Sequence, residues 1–251
     1  MDKNYWEKLA PVHQDEMFNV LKNDRKKIIL KQIEQLGSKR KTVADMGCAL
    51  GRWLPALSKN FRKVYAIDIA EKFITLAKEN NSDLHNIEYI RADAGNIQPV
   101  PCDVVLCVNA VMTPVLAKRD AFFRTISDSL PRNGHLILVV PSLESALFSE
   151  AMLERWHFKD GTSKPIFTGD NAVDKFENLK SGIYDLDGVP TKHYLKEEIK
   201  ALLPQYQLQV KEVEKIEYTW DTEFESPPSW LQSPRPWDWM FVAKKKTAKA
   251  Q

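Results

Sequence analysis

Short apolar runs alternate with amphipathic stretches along the chain from Thr42 to Pro141. The runs are bounded by Gly, Asn, Asp or Pro and predict strands that are buried on both faces, as in parallel sheets. The stretches between them repeat apolar residues at three-and-four spacing, which predicts helices. Predicted strands are Thr42–Met46, Lys63–Ile67, Ile87–Ala92, Val104–Val108 and His135–Val140, and predicted helices are Trp53–Asn60, Ala70–Asn80 and Lys118–Leu130. This order predicts an α/β fold with helices on both faces of the sheet.

The alternation ends after Pro141, and the pattern there predicts an insertion at about residues 143–192. This insertion begins with a predicted helix and continues into a stretch rich in Gly, Asp, Asn and Lys. A helix at Leu195–Leu203 and strands at Leu208–Ile216 and Trp237–Ala243 follow, with a Pro- and Trp-rich loop between the strands. We therefore expect a mostly helical segment over residues 1–37, and a main domain over residues 38–251 whose insertion forms a substrate cap.

Composition narrows the possible partners. The 251 residues carry 36 basic and 34 acidic side chains, so no overall field attracts nucleic acid or an anionic membrane. Cys48, Cys102 and Cys107 lack the spacing of a metal site or a disulfide framework, which favours a reducing compartment. We find no signal peptide and no membrane-length apolar segment. The expectation is a soluble, cytoplasmic protein, either a monomer or a homodimer, that binds no metal.

A strand that turns sharply into a helix lies at Val43–Trp53. Gly47 and Gly51 permit positive φ angles and a close approach of backbone to a ligand. Asp45 can organise this turn and attract the ammonium of an amino-acid ligand. A dinucleotide site would require a small residue where Arg52 stands, so the turn favours an adenosyl amino acid; the alternative is a tight connection without a ligand. The expected ligand contacts are Asp45, Gly47, Cys48, Ala49 and Gly51.

Three further segments follow the next three predicted strands at the same expected edge of the sheet. Asp68 stands where a carboxylate would accept ribose hydroxyls, and it can equally cap the following helix. Asp93 can accept a hydrogen bond from an adenine amino group, or it can be an ordinary turn residue. The backbone after the fourth strand would line the methionine part of the ligand. Expected contacts from these segments are Asp68, Ile69, Ala92, Asp93, Ala94, Asn109 and Met112.

In this order the motifs resemble those of class I S-adenosylmethionine-dependent methyltransferases, particularly the small-molecule branch that includes quinone-type methylases. The resemblance extends over about residues 5–141, and Ala49 departs from it by replacing the usual middle glycine of the first loop. The matching segments are Asp45–Gly51 (the acidic glycine loop), Asp68 (the ribose acid), Arg91–Ala94 (the adenine segment) and Leu130–His135 (the turn into the fifth strand).

The resemblance implies a Rossmann-like, doubly wound sheet of seven strands, mostly parallel with an antiparallel terminal strand. It also implies S-adenosyl-L-methionine as cofactor and transfer of its methyl group to a small molecule. A protein or RNA acceptor is the alternative, which the balanced charge and the Asn109–Met112 segment disfavour. A non-catalytic module that binds the cofactor is the third reading.

Catalysis on a hydroxyl acceptor would need a base, for which histidine is suited. The candidates are His13, His157 and His193, each of which can instead be a structural or exposed residue. Aromatic residues of the N-terminal segment can close over the cofactor or simply pack a helix: Tyr5, Trp6 and Phe18, with His13 and Met17 beside them. Aromatic residues in the insertion and the Trp220–Pro236 loop suggest a lid over an apolar or aromatic acceptor, or anchors for long loops.

Overall fold

The computed structural model describes residues 6–7, 20–162, 179–186 and 188–246, which contain a seven-stranded sheet and a separate hairpin. The strands are β1 (Ser38–Met46), β2 (Phe61–Asp68), β3 (Ile87–Arg91), β4 (Val104–Val108), β5 (His135–Pro141), β6 (Ile183–Leu186), β7 (Val189–Lys192), β8 (Leu208–Glu217) and β9 (Trp237–Lys245). In the sheet, β1 to β5 run parallel, and β9 runs antiparallel to its neighbours β5 and β8. The spatial order is β3-β2-β1-β4-β5-β9-β8. The predicted fold class is confirmed.

Helices cover both faces of the sheet and divide the core into two layers, because successive residues of a strand point to opposite faces. Ile33, Leu57 and Ile74 bring α2, α3 and α4 to one layer. Phe123 and Ile199 bring α5 and α7 to the other. The helices are α1 (Val20–Asn23), α2 (Ile28–Leu36), α3 (Leu54–Asn60), α4 (Glu71–Asn80), α5 (Leu116–Ser129), α6 (Leu143–Lys159) and α7 (Lys196–Leu202).

The predicted N-terminal helical stretch is interrupted at residues 24–27, within its described part. The buried Asp24 carboxylate accepts hydrogen bonds from the backbone N–H groups of Ile28 and Ile29, both at 2.9 Å. An aspartate in this position satisfies N–H groups that a helix start leaves unpaired. It therefore ends α1 and begins α2.

The hairpin β6–β7 lies in the insertion, where the sequence pattern predicted no strand. The Asp-Gly pair at positions 187–188 is a hairpin signal, but Pro190 disfavours a strand and each strand has only four residues. Backbone hydrogen bonds join the hairpin region to the sheet. Lys192 N–H donates to the Met112 carbonyl at 2.8 Å, and Tyr194 N–H donates to the Pro141 carbonyl at 2.8 Å. The hairpin is thereby held at the carboxyl edge of β4 and β5.

In the described ranges, no helix combines the length and the apolar character needed to cross a membrane.

Candidate active site

The chain reverses its direction of progress across the sheet between β1 and β4, which lie side by side. In open α/β sheets, ligands bind in the crevice at this point, outside the carboxyl ends of the strands. A cavity of about 880 Å³ lies there. We call the part lined by residues 47–122 the β1–β4 half, and the part lined by residues 141–238 the β5–β9 half. Because β9 runs antiparallel, its first residues reach the same edge, and Asp238 pairs with Pro141.

The turn from β1 into α3 forms the floor of the β1–β4 half. The N–H groups of Gly47 and Cys48 both donate to the Ile67 carbonyl, at 2.8 and 3.0 Å, which ties the turn to β2. Gly47 has a φ of 86°, and a Cβ atom there would come within 2.4 Å of the Ala110 Cβ. Only glycine fits this position. Ala49 adopts a φ of 44°, so the residue that replaces the usual glycine keeps a left-handed backbone.

Asp68 fixes the same turn from the end of β2. One carboxylate oxygen accepts the Ala70 N–H at 2.9 Å, and the other accepts the Ala49 N–H at 3.0 Å. Burial raises the pKa of this carboxyl, and the backbone N–H donors counteract that rise. Asp68 therefore shapes the turn before α4 and does not cap that helix, whose N-cap residue is Ala70. Asp68 also lines the cavity.

Asp45 lies beneath the turn and is 1% exposed. Its Oδ2 atom is buried without a hydrogen-bond partner among the described residues. Burial, with the nearby Asp68 charge, raises the pKa of Asp45 to about 7. An unpaired carboxylate of this kind is costly in the absence of a cation or a donor. The described residues therefore leave the charge of Asp45 unpaired beneath the floor of the cavity.

The segments after β3 and β4 complete the β1–β4 half. Asp93 accepts the Gly95 N–H at 2.9 Å, so it forms a turn as well as lining the cavity. Asn109 adopts a left-handed φ of 48°. Its Nδ2 atom donates to Asp238 at 2.7 Å, which connects the end of β4 to the start of β9.

Most of the residues that the sequence predicted as ligand contacts meet in this one cavity, although Asp45 and Gly51 do not line it. Gly51 faces Leu54 and Asn81 instead, where a Cβ would come within 2.8 Å of either side chain. The predicted contacts that do line the cavity are Gly47, Cys48, Ala49, Asp68, Ile69, Ala92, Asp93, Ala94, Asn109 and Met112.

Of the three candidate histidines, His193 lines the β5–β9 half and is 8% exposed. Its Nδ1 atom lies 3.2 Å from the Thr191 carbonyl, which can only accept, so Nδ1 carries the proton and Nε2 keeps a lone pair. Burial lowers the pKa of His193, assisted by the charge of Lys192. His157 is exposed on α6 and does not line the cavity, and His13 lies outside the described residues.

The acidic residues of the β5–β9 half were not predicted from the sequence. These side chains come from α6, the hairpin, the loop between β8 and β9, and the start of β9, and none of these segments has a motif of its own. The spacing of Ser142, Ser145, Ser149 and Leu153, on one face of a helix, was the available signal. The missed acidic residues are Glu150, Asp185, Glu223 and Asp238.

Comparison with known proteins gives the family of this domain. Residues 43–134 match the family model described as "Methyltransferase domain". The chain contains a methyltransferase domain. A carboxy-S-adenosyl-L-methionine synthase from Psychrobacter arcticus is 31% identical to it over 109 residues, which are 41% of this chain and 42% of that protein. The matched segment thus spans less than half of the curated relative.

Several solved structures resemble this chain in fold over nearly its whole length. The N-methyltransferase NodS of Bradyrhizobium japonicum, with S-adenosyl-L-homocysteine, is 12% identical (TM-score 0.62; 98% of this chain and 100% of that chain covered). A methyltransferase from Anabaena variabilis is 16% identical (TM-score 0.64; 97% and 93% covered). Magnesium protoporphyrin IX methyltransferase from Synechocystis is 13% identical (TM-score 0.58; 97% and 97% covered). The resemblance to class I methyltransferases is therefore confirmed, whereas the quinone-type branch stays a prediction.

The residues of the methyltransferase domain fit S-adenosylmethionine as cofactor. Gly47 keeps the floor of the cavity open to backbone approach, and the unpaired negative charge of Asp45 lies beneath that floor. Asp68 and Asp93 bring carboxylates to the same cavity. Among the described residues, no group of three or more His, Cys, Asp or Glu side chains is arranged to hold a metal ion.

Proposed function

We propose that this chain is an S-adenosylmethionine-dependent methyltransferase that acts on a small molecule. The observation that carries the proposal is that residues of both halves line the same cavity. Its β1–β4 half carries the residues of the family motifs, and its β5–β9 half continues between α6, the hairpin and β9. A cofactor and an acceptor bound in the two halves would meet inside one cavity, as an in-line transfer requires.

In the β1–β4 half, each predicted residue takes a distinct task. The bound cofactor supplies a methyl carbon on a positively charged sulfur, which is the electrophile. Asp68 would accept the ribose hydroxyls with the lone pairs that its two backbone donors leave free. Asp93 would accept the adenine amino group, and the backbone of Gly47 and Ala49 would lie against the cofactor. Asp45 would neutralise the amino-acid ammonium from below.

Two segments would close the cavity. The insertion supplies α6 and the hairpin, both of which line the β5–β9 half, and this supports its role as a substrate cap. The N-terminal segment contributes Trp6, which lines the cavity and packs against Phe73 with 6.4 Å between ring centroids. The Glu7 carboxylate accepts the Glu71 N–H at 2.7 Å at the start of α4. These contacts support a lid; of the other residues assigned to it, Tyr5, His13, Met17 and Phe18 lie outside the described residues.

His193 would act as the general base of the reaction. Its lowered pKa keeps the ring neutral at physiological pH, and its Nδ1 proton is held by the Thr191 carbonyl, so Nε2 is the basic atom. A small-molecule acceptor is supported by the protein-lined cavity that His193 faces. A protein or RNA acceptor, or a module that binds the cofactor without turnover, would be identified by labelled-methyl transfer to macromolecules, or by binding without consumption.

The test is cofactor binding by isothermal titration calorimetry with Asp68→Asn and a matched control, Asp83→Asn, which removes an exposed carboxylate. Loss of charge-assisted hydrogen bonds to the ribose, each worth about 1.5–3 kcal/mol, should weaken binding of S-adenosylmethionine at least tenfold in the first variant. The control should bind like the unmodified protein. Equal affinity in Asp68→Asn and the unmodified protein would refute the ribose assignment.

A further inference from the structure

The β5–β9 half of the cavity carries a concentration of negative charge. Four carboxylates line it: Glu150, Asp185, Glu223 and Asp238. The described residues between 141 and 238 that line this half include no lysine or arginine. The two basic side chains of the cavity, Arg52 and Lys118, belong to the β1–β4 half. A ligand of this half therefore meets a negative field that the wall itself does not neutralise.

The protein raises the pKa of two of these carboxyl groups. Glu223 is an exposed residue that lines the cavity, and the atoms packed around its carboxyl raise its pKa through burial. Burial likewise raises the pKa of Asp238 to about 7. A cation brought between them would favour their ionised forms and would be bound more strongly than at an open surface.

A second observation concerns Asn109, at the boundary between the two halves. Asp238 also accepts a hydrogen bond from the Tyr218 hydroxyl at 2.8 Å, so its position is fixed. Because the carboxylate accepts from the Asn109 Nδ2 atom, the orientation of the Asn109 amide is fixed as well. The Asn109 Oδ1 atom is then buried without a partner among the described residues, although the residue lines the cavity. An amide oxygen can only accept, so this atom can take a hydrogen bond from a molecule bound at the boundary, whether the cofactor, for which Asn109 is an expected contact, or the acceptor.

A third observation concerns His193, which lines the same half. Its side chain is 8% exposed, and its Nδ1 proton faces the Thr191 carbonyl. The Nε2 lone pair is therefore left to accept a hydrogen bond, and an ammonium group can donate one to it.

We infer that the methyl acceptor is a protonated primary or secondary amine. This inference rests on the proposed function. The carboxylates would hold the ammonium form in the β5–β9 half, and His193 Nε2 would remove one proton from it. The amine lone pair would then form a bond to the methyl carbon while the carbon–sulfur bond breaks and its electron pair passes to sulfur. The products are the methylated ammonium ion, S-adenosylhomocysteine and one proton that leaves from His193 to water.

The experiment compares phenethylammonium with 2-phenylethanol, a neutral molecule of matched size, on protein saturated with S-adenosylhomocysteine. Titration calorimetry at neutral pH should give roughly tenfold tighter binding of the amine, because its hydrogen bonds to the wall are charge-assisted. Glu223→Gln should abolish most of this preference while keeping its affinity for S-adenosylhomocysteine. Glu214→Gln, which changes an exposed glutamate of β8, is the matched control and should retain the preference.

A turnover assay completes the test, with a panel of amines and their matching alcohols and carboxylic acids. Mass spectrometry should find the methyl group on nitrogen. Equal binding of the amine and the alcohol, an unchanged preference in Glu223→Gln, or methylation of alcohols or acids in place of amines would each overturn the inference. Failure of S-adenosylhomocysteine to bind in the first titration would instead refute the proposed function.

Discussion

At the scale of single residues, the two candidate histidines of the described structure show what sequence can and cannot decide. His157 follows an aromatic residue within the insertion, His193 follows a basic residue directly after it, and neither histidine belongs to a motif. Their difference is one of placement, because His193 is buried in the cavity wall and His157 is exposed on α6. Sequence patterns do not determine which side of a long helix or which loop meets a distant strand edge.

This pair also supplies a matched experiment on catalysis. His193→Gln removes the proposed base and should lower kcat by about 10²–10⁴-fold, while the affinity for S-adenosylmethionine stays unchanged. The unmodified enzyme should lose activity as the pH falls below the lowered pKa of His193, since protonation removes the lone pair of Nε2. That acidic limb should vanish in the variant. His157→Gln should keep both kcat and the pH profile; a similar loss in both variants would contradict the assignment.

The residues of the β1–β4 half could be predicted because they lie within a few positions of strand ends. Gly47 directly follows β1, Asp68 is the last residue of β2, and Asp93 lies two positions after β3. Parallel strands present their carboxyl ends at one edge of the sheet. Glu223 and Asp238 could not be predicted in this way. Glu223 lies in a long loop, and Asp238 begins a strand whose antiparallel direction decides which edge it reaches.

At the scale of elements, apolar periodicity predicted the seven sheet strands and the helices after β1 closely. The bounds of α3, α4 and α5 agree with the predicted helices to within two residues. Burial of one face is what fixes these helices, and that face is visible in the sequence. The hairpin β6–β7 was missed because its strands are short and lie outside the main sheet, where no buried pattern is required of them.

Gly47, the first glycine of the turn between β1 and α3, disfavours a side chain for two reasons: its positive φ and its close approach to Ala110. Comparison with a second glycine separates the two contributions to stability. Gly47→Ala should destabilise the protein through both the positive φ and the 2.4 Å overlap with Ala110. In Gly161→Ala, the added Cβ has no atom within 4 Å, but the residue keeps a φ of 68°. This variant should therefore lose only the stability that the unfavourable backbone angle costs, roughly 1 kcal/mol. Urea unfolding measures both, and equal losses would contradict the close approach.

At the scale of the whole molecule, the buried carboxylates lower the stability of the folded state when they are ionised. Asp45 has a folded pKa of about 7 against an ordinary value of 3.8, so the folded state holds its proton more tightly than the unfolded state. For a raised pKa, the stability present at low pH is lost as the pH rises through that interval. The ligand-free protein thus keeps an unfavourable charge in its core at neutral pH, as functional sites often do.

Asp45→Asn removes this charge and tests the argument. The variant should gain stability relative to the unmodified protein as the pH rises from about 4 to about 7, by at most about 1.4 kcal/mol per pH unit, and the gain should level off above that range. Urea unfolding at several pH values gives the difference between the two proteins. A difference that does not change with pH would show that Asp45 titrates normally.

The direction of β9 also affects the order in which the molecule is assembled during translation. The motif residues all precede β5 and are therefore synthesised early. Asp238, which orients the Asn109 amide, is synthesised almost a hundred residues after the end of β5. A nascent chain that ends before β9 would contain the carboxyl ends of β1 to β4 but would lack the antiparallel neighbour of β5. Of the residues that line the β5–β9 half, Trp237 and Asp238 are therefore the last to be made, and the orientation of the Asn109 amide is fixed only when β9 joins the sheet.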